Sequence, residues 1–331
     1  MSSITSWNFP TSIKIGSGSL NQISGICKDL KILKPLIVTD KNLQNNGIMQ
    51  DLKNKLVNSS IPLNIFSKVD PNPTEKNLND GLKILKNGGF DGIIAFGGGS
   101  ALDLGKLLGF MVAQKLPVWE FEDLGDNWKK ANTNNILPII AIPTTAGTGS
   151  EVTKGAIITD TNKNFKSGVR GEQVFPTIAL IDPILSMTMP EDVAATTGFD
   201  TFTHLFESYL AKKSNILTDM ISINGLKIIL ANLPKSLNNP NDKELRKKIS
   251  YAALLGGINV GNASTCLPHR LQQAMGSVSS IHQPHAKGLA ALYPSWIKEV
   301  YKFKEEKINF LKKLIDDKTN KTEFIEEFIE K

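Results

Sequence analysis

The chain has 331 residues, 40% of them hydrophobic and 21% charged, and a formal net charge of +6. That length exceeds one ordinary core and predicts two domains. No apolar run approaches the roughly 20 residues a membrane-spanning helix needs, and no basic cluster interleaved with aromatics offers a nucleic-acid groove. The start, Met1-Ser2-Ser3-Ile4-Thr5-Ser6-Trp7, lacks the basic and apolar regions of a secretory signal. Two distant cysteines, Cys27 and Cys266, fit a reducing compartment, so a cytoplasmic location is expected.

The first half alternates short β-branched runs with helical periods. Residues 35–40 read as a strand ending on a polar residue, 42–57 as a helix, and 63–66 as a second, shorter strand. Thr74 closes a loop and is placed to cap a helix that carries Leu78, Leu82 and Leu85 on one side. Residues 91–96 form a buried strand running into Gly97-Gly98-Gly99-Ser100. Residues 136–142 form another, leading into Pro143-Thr144-Thr145-Ala146-Gly147-Thr148-Gly149-Ser150. This rhythm predicts a mostly parallel sheet covered on both faces. Past Asp182-Pro183, strand-like runs become scarce and helical periods dominate. The expected division is an α/β domain over 1–185 and an all-helical domain over 186–331.

All four histidines, His204, His269, His282 and His285, fall between Asp200 and His285. On a helix, Asp200 and His204 leave the same face one turn apart. One carboxylate and two or three imidazoles from separate elements make a site for a divalent metal; four unrelated polar residues are the alternative. Gly97-Gly98-Gly99-Ser100 closes a strand and opens a helix, where glycines admit a ligand to the backbone and helix amides hold phosphate. Asp103 and Lys106 follow at helical spacing. The loop from Thr144 to Ser150 also follows a strand, and two such loops at strand carboxyl ends suggest a nucleotide site. Taken singly, each is a well-made turn. Asp40, at the carboxyl end of an earlier strand, can accept hydrogen bonds from the ribose of NAD and repel the extra phosphate of NADP; taken alone it is a turn aspartate.

Together these segments resemble the iron-containing (group III) alcohol dehydrogenases, over about Phe9 to Trp296. The matching residues are Val38-Thr39-Asp40-Lys41, Gly97 to Ser100 with Asp103 and Lys106, Pro143 to Glu151, Thr197-Gly198-Phe199-Asp200 with Thr203-His204, and His285-Ala286-Lys287-Gly288-Leu289-Ala290. The resemblance implies a Rossmann-like N-terminal domain, a helical metal-binding C-terminal domain of the dehydroquinate-synthase-like type, and a cleft between them. It implies metal ligands Asp200, His204, His269 and His285, with Fe(II) as the usual ion and Zn(II) satisfying the same donors. It also implies that Gly97, Gly98, Gly99 and Ser100 hold the pyrophosphate of NAD(H), with Asp40, Asp103, Thr144, Thr145, Thr148, Thr153 and Lys166 as further cofactor residues. A homodimer is the family expectation.

The sequence departs from that pattern in three places. Gln273 stands where relatives have a histidine lining the substrate site, which alters the proton route. The segment from His269 to His285 is slightly long and brings in His282, either a substitute or a solvated loop residue. The stretch after Pro294 is short for the family. The expected activity is NAD(H)- and metal-dependent alcohol dehydrogenation or aldehyde reduction on a small substrate. Arg270, Gln273 and Lys287 point to an anionic one such as phosphonoacetaldehyde. A lyase of the dehydroquinate-synthase type and an inactive nucleotide binder are the alternatives. The first needs a more densely cationic pocket than Arg170, Arg270 and Lys287 supply.

Overall fold

Runs of β-branched and aliphatic residues build a six-stranded sheet in the computed structural model, which describes residues 7–123, 125–277 and 284–316. In chain order the elements are β1 (Ser12–Ile15), α1 (Ile23–Asp29), β2 (Pro35–Asp40), α2 (Lys41–Gln44), α3 (Gly47–Val57), β3 (Ile65–Val69), α4 (Glu75–Gly88), β4 (Gly92–Gly97), α5 (Gly99–Met111) and β5 (Ile139–Pro143). Then come β6 (Gly155–Asp160), β7 (Phe165–Arg170), β8 (Ile178–Ile181), α6 (Glu191–Leu210), α7 (Ile216–Asn238), α8 (Lys243–Ala263), α9 (Leu267–Gly276) and α10 (His285–Asp316). The chain divides into an α/β unit, Phe9–Thr145 with Ser150–Met189, and a helical unit from Pro190 on that also takes Ala146–Gly149.

The sheet order is β1-β8-β5-β4-β2-β3, with every neighbouring pair parallel. Side chains alternate between its two faces. Leu36, Val38, Ile93, Ala95, Ile139 and Ala141 enter one buried cluster with residues of α4 and α5. Ile37, Ile94, Phe96, Ile140 and Ile142 enter the other, with Ile23, Ile26, Leu52 and Leu56. Burial on both faces explains why these strands read as continuous apolar runs. The order also fixes where a ligand has room. The chain leaves β2 towards β3 on one side and leaves β4 towards β5 on the other. The winding therefore reverses between the carboxyl ends of β2 and β4, where doubly wound sheets leave a crevice. Asp40 ends β2 and Gly97 ends β4.

Local signals explain most boundaries. Thr74 caps α4 reciprocally with Asn77, as its position predicts. The single helix expected over 42–57 is instead two, because the Asn46 side chain accepts from Ile48 N and starts α3 afresh. The strand expected over 63–66 lies later, at β3. The antiparallel hairpin β6–β7 has no counterpart in the sequence reading; its turn sets Asn164 at φ 49.

Asp103 and Lys106 serve this hairpin. Lys106 is fully buried, and its Nζ donates to Ser150 O, Thr153 Oγ1 and Gly155 O at 2.9, 3.2 and 2.5 Å, with Asp103 Oδ1 at 3.2 Å. Three donors and four acceptors fit an ammonium, although burial lowers its pKa. Asp103 also accepts from Ser150 Oγ and Ile157 N. Glu151 lies nearby, and burial pushes its carboxyl up to about 7 against the pull of Lys106. The folded chain therefore holds a proton that the unfolded chain releases at about 4.5. Stability falls as pH rises through that window and levels off above it, by about 3 kcal/mol. Urea melts between pH 4.5 and 8 are expected to show this fall in the wild type and a flattened profile in Glu151→Gln; an unchanged slope in the variant would refute the assignment.

In the helical unit, Phe202, Leu205, Phe206 and Tyr209 of α6 pack with Leu226, Ile229, Leu230 and Leu233 of α7 and with Ile249, Ala252 and Ala253 of α8. Contrary to the sequence expectation, α7 is long and apolar enough by composition to cross a bilayer, and 44% of its most apolar window is buried. Asn215 and Asp242 cap α7 and α8. α10 kinks at Lys304, where the backbone leaves helical geometry.

Candidate functional site

Asp200 and His204 lie one turn apart on α6, as expected, and both are buried. His269 comes from the first turn of α9, and His285 opens α10. The three helices bring four groups to one point. Asp200 Oδ1 stands 3.6 Å from His204 Nε2, 3.8 Å from His269 Nε2 and 3.5 Å from His285 Nε2. The ligand atoms of Asp200, His269 and His285 all lie within 4.8 Å of one another. The rings of His204 and His269 stack, with centroids 4.9 Å apart.

These separations decide between two readings. They exceed hydrogen-bond length, so the cluster is not a satisfied polar network. Donors around a tetrahedral ion with bonds of about 2.1 Å stand about 3.4 Å apart, close to what is found. Among the described residues, two buried atoms that face this point, Asp200 Oδ1 and His269 Nε2, have no hydrogen-bond partner. Each such orphan costs about 1–3 kcal/mol, and they occur together. The donor set therefore fits a divalent cation.

The electrostatics agree. Burial opposes ionisation of Asp200, but the surrounding imidazoles overrule it and hold the carboxyl well below the usual range. Burial lowers His204 to about 4, so its imidazole is neutral and its lone pair free to ligate. Burial also works against a charge on His269, yet Glu207 and Asp200 raise it to about 9.

Sequence reasoning missed the residues behind the ligands. Glu207, fully buried on α6, has Oε1 2.8 Å from His269 Nδ1. Gln272 Oε1, on α9, accepts from His285 Nδ1. A signal was present: Glu207 lies three residues after His204, and Gln272 three after His269, each on the helical face of one ligand while holding another. Gln273 accepts from Arg270 Nη1 at 3.4 Å. His282 lies outside the described residues.

In the α/β unit, Gly97 takes φ +151, and α5 starts with Gly98 as its N-cap and no side-chain cap. The first amides of a 13-residue helix thus open onto a turn without side chains, which suits a phosphate. Thr144 N donates to Gly97 O at 2.9 Å, so the chain segments leaving β4 and β5 start side by side. Thr145 Cγ2 approaches within 3.4 Å of where Gly98 would carry a Cβ. Ser100 Oγ donates to Pro71 O, and Lys166 Nζ to Asn72 Oδ1 at 2.9 Å. Asp40 Oδ1 caps α2, accepting from Asn42 N and Leu43 N. Its Oδ2 faces Gly97, 3.7 Å from that residue's ideal Cβ. The Asp103 carboxylate and Thr153 hydroxyl are engaged with Lys106 as described above, and Thr148 belongs to the helical unit.

One chain thus joins a parallel α/β unit, with an uncapped glycine turn at its winding reversal, to a helical unit whose Asp-His₃ cluster could hold a metal ion. The iron-containing alcohol dehydrogenase family model matches residues 10–183, and the C-terminal model of the same family matches 194–331. The chain belongs to this family of oxidoreductases. It is 30% identical to an NAD-dependent methanol dehydrogenase of Bacillus methanolicus, over 85% of this chain and 75% of that one. Identity to a 1,3-propanediol dehydrogenase of Citrobacter freundii is 31%, over 84% and 71%. Among solved structures, an iron-containing alcohol dehydrogenase of Thermotoga maritima superposes with a TM-score of 0.85 at 30% identity, covering 98% of this chain and 87% of that one.

Proposed function

We propose that the protein interconverts a small alcohol and its aldehyde, using NAD(H) and a divalent metal. The observation that carries this reading is the meeting of three imidazole Nε2 atoms at Asp200 Oδ1. Asp200, His204, His269 and His285 would hold Fe(II), or Zn(II), which would supply Lewis acidity at the substrate oxygen, and a bound NAD(H) would supply the hydride chemistry. Three neutral imidazoles and one carboxylate would leave such a site net positive. Gly97 to Ser100 hold the pyrophosphate through backbone amides. Asp40 Oδ2, the oxygen not used to cap α2, accepts from the ribose and disfavours NADP. Thr144, Thr145, Thr148 and Lys166 are the further cofactor contacts, whereas Asp103 and Thr153 hold Lys106 in place. The dehydrogenase relatives favour this redox chemistry over a lyase reaction.

The substrate is a short aldehyde. Arg270, exposed on α9 beside His269 and bonded to Gln273, favours one with an anionic group such as a phosphonate. A cytoplasmic homodimer completes the proposal; sedimentation as a monomer would contradict its oligomeric part.

The decisive assay follows NADH oxidation over neutral and anionic short aldehydes, with chelator and with Fe(II) or Zn(II) restored. Activity is expected to vanish on metal removal and return with the ion. Activity indifferent to complete removal refutes the mechanism, and equal turnover of neutral and anionic aldehydes refutes the role of Arg270. For the cofactor, Gly97→Val is the sharper probe. A Cβ there meets Ala101 Cβ at 2.7 Å in a backbone conformation that side chains avoid. NADH affinity is expected to fall at least about tenfold, or ~1.4 kcal/mol, by direct titration; unchanged affinity would remove the turn from the cofactor site.

A further inference from the structure

We infer that Glu207 and Gln272 are positioning residues for the metal centre: each fixes the Nδ1–H of one imidazole so that its Nε2 lone pair faces Asp200 Oδ1. This rests on the proposed metal site and assigns a role to side chains behind it.

The hydrogen-bond inventory around Glu207 requires a carboxylate. Its Oε1 lies 2.8 Å from His269 Nδ1 and accepts from Tyr293 Oη at 3.0 Å, while Oε2 accepts from Cys266 N at 2.6 Å. All three neighbours present donors when His269 carries its hydrogen on Nδ1, and a carboxylate only accepts. The tautomer of His269 is thereby set, with Nε2 left for the ion. An amide at position 207 cannot meet all three demands. If its oxygen serves Cys266 N–H, its NH₂ turns towards His269 Nδ1 and drives the imidazole hydrogen onto Nε2, where it blocks ligation. Glu207 also adds a full negative charge one ring away from the ion, which raises ligand basicity and tightens binding.

Gln272 does the same for His285 with a neutral group, its Oε1 accepting from Nδ1. It is almost fully buried, and Gly288 of α10 makes room for it: a Cβ there would stand 3.0 Å from Gln272 Cγ. His204 shows the contrast, since its Nδ1 has no partner among the described residues. Two of the three imidazoles are thus oriented from behind, one by a charge and one by an amide.

The test is the affinity of the metal-stripped full chain for Co(II), titrated against a chromophoric chelator, together with the visible spectrum of the Co(II) form. Glu207→Gln and Gln272→Met are each expected to weaken binding about 10–100-fold, and Glu207→Gln to shift the Co(II) bands. Ile229→Ala, which opens a cavity in the core of the helical unit at a residue of α7, a helix that supplies no ligand, is expected to lose thermal stability while binding Co(II) within about twofold of wild type. Wild-type affinity in both folded position-207 and position-272 variants overturns the proposal, as does an equal loss in Ile229→Ala. Should Glu207→Gln fail to fold, Gln272→Met alone decides: wild-type affinity there overturns it. A wild-type chain that takes up no Co(II) would instead sink the metal-site reading beneath it.

Discussion

Replacing Asp200 with alanine is expected to abolish retention of a divalent ion and to lower kcat/KM by about a thousandfold or more. The magnitude follows from the work asked of the ion: several kcal/mol of charge stabilisation at the substrate oxygen, at 1.36 kcal/mol per decade of rate. The effect is concentrated at Asp200 because its Oδ1 is the point all three imidazoles face, at 3.5 to 3.8 Å. Without it the donors are three neutral rings, and the anionic ligand is lost. Metal analysis of purified Asp200→Ala, paired with NADH oxidation, checks both halves. Activity within about tenfold of wild type would place the chemistry elsewhere.

The second large effect is on stability. Gly149 sits at φ +62, and a Cβ there would lie 2.4 Å from Gly257 Cα and 2.7 Å from Gly257 N, both backbone atoms of α8. A backbone cannot swing aside as a side chain can. Gly147 meets α6 as closely, with Thr197 Cβ 2.6 Å from its ideal Cβ. The residues Ala146–Gly149 are thus clamped within the helical unit by close main-chain packing. Gly149→Ala is expected to cost about 2–5 kcal/mol, from left-handed strain and overpacking together, and to lower Tm by about 5–15 °C. A folded variant with unchanged Tm would show that the clamp yields freely.

How far the sequence foretold this arrangement depends on the physical range of each signal. Asp200 and His204 were legible because helical spacing alone puts them on one face. His269 and His285 were legible because histidine is scarce here, so its clustering carries information. Glu207 was not, since glutamate is common and a helix normally solvates it; only its register with Asp200 and His204 distinguished it. The glycines of the 144–150 loop read as cofactor turns, whereas the packing of Gly147 and Gly149 on helices distant in sequence gives them a second reason to be glycine. Sheet order is likewise a long-range property: Asp40 and Gly97 each announced a strand end, but nothing local said that the winding reverses between them. The β6–β7 hairpin escaped because Lys166 and its neighbours form a polar strand without strict alternation. Asn46 broke an expected helix by a cap that only its side-chain geometry reveals.

X-ray absorption at the metal edge of the purified, metal-loaded protein tests the central claim most directly. The account predicts one ion per chain with a shell of about four nitrogen or oxygen donors near 2.1 Å and the outer-ring scattering of three imidazoles. An ion bound without imidazole scattering, or none retained under conditions where the chain turns over aldehyde, would contradict it.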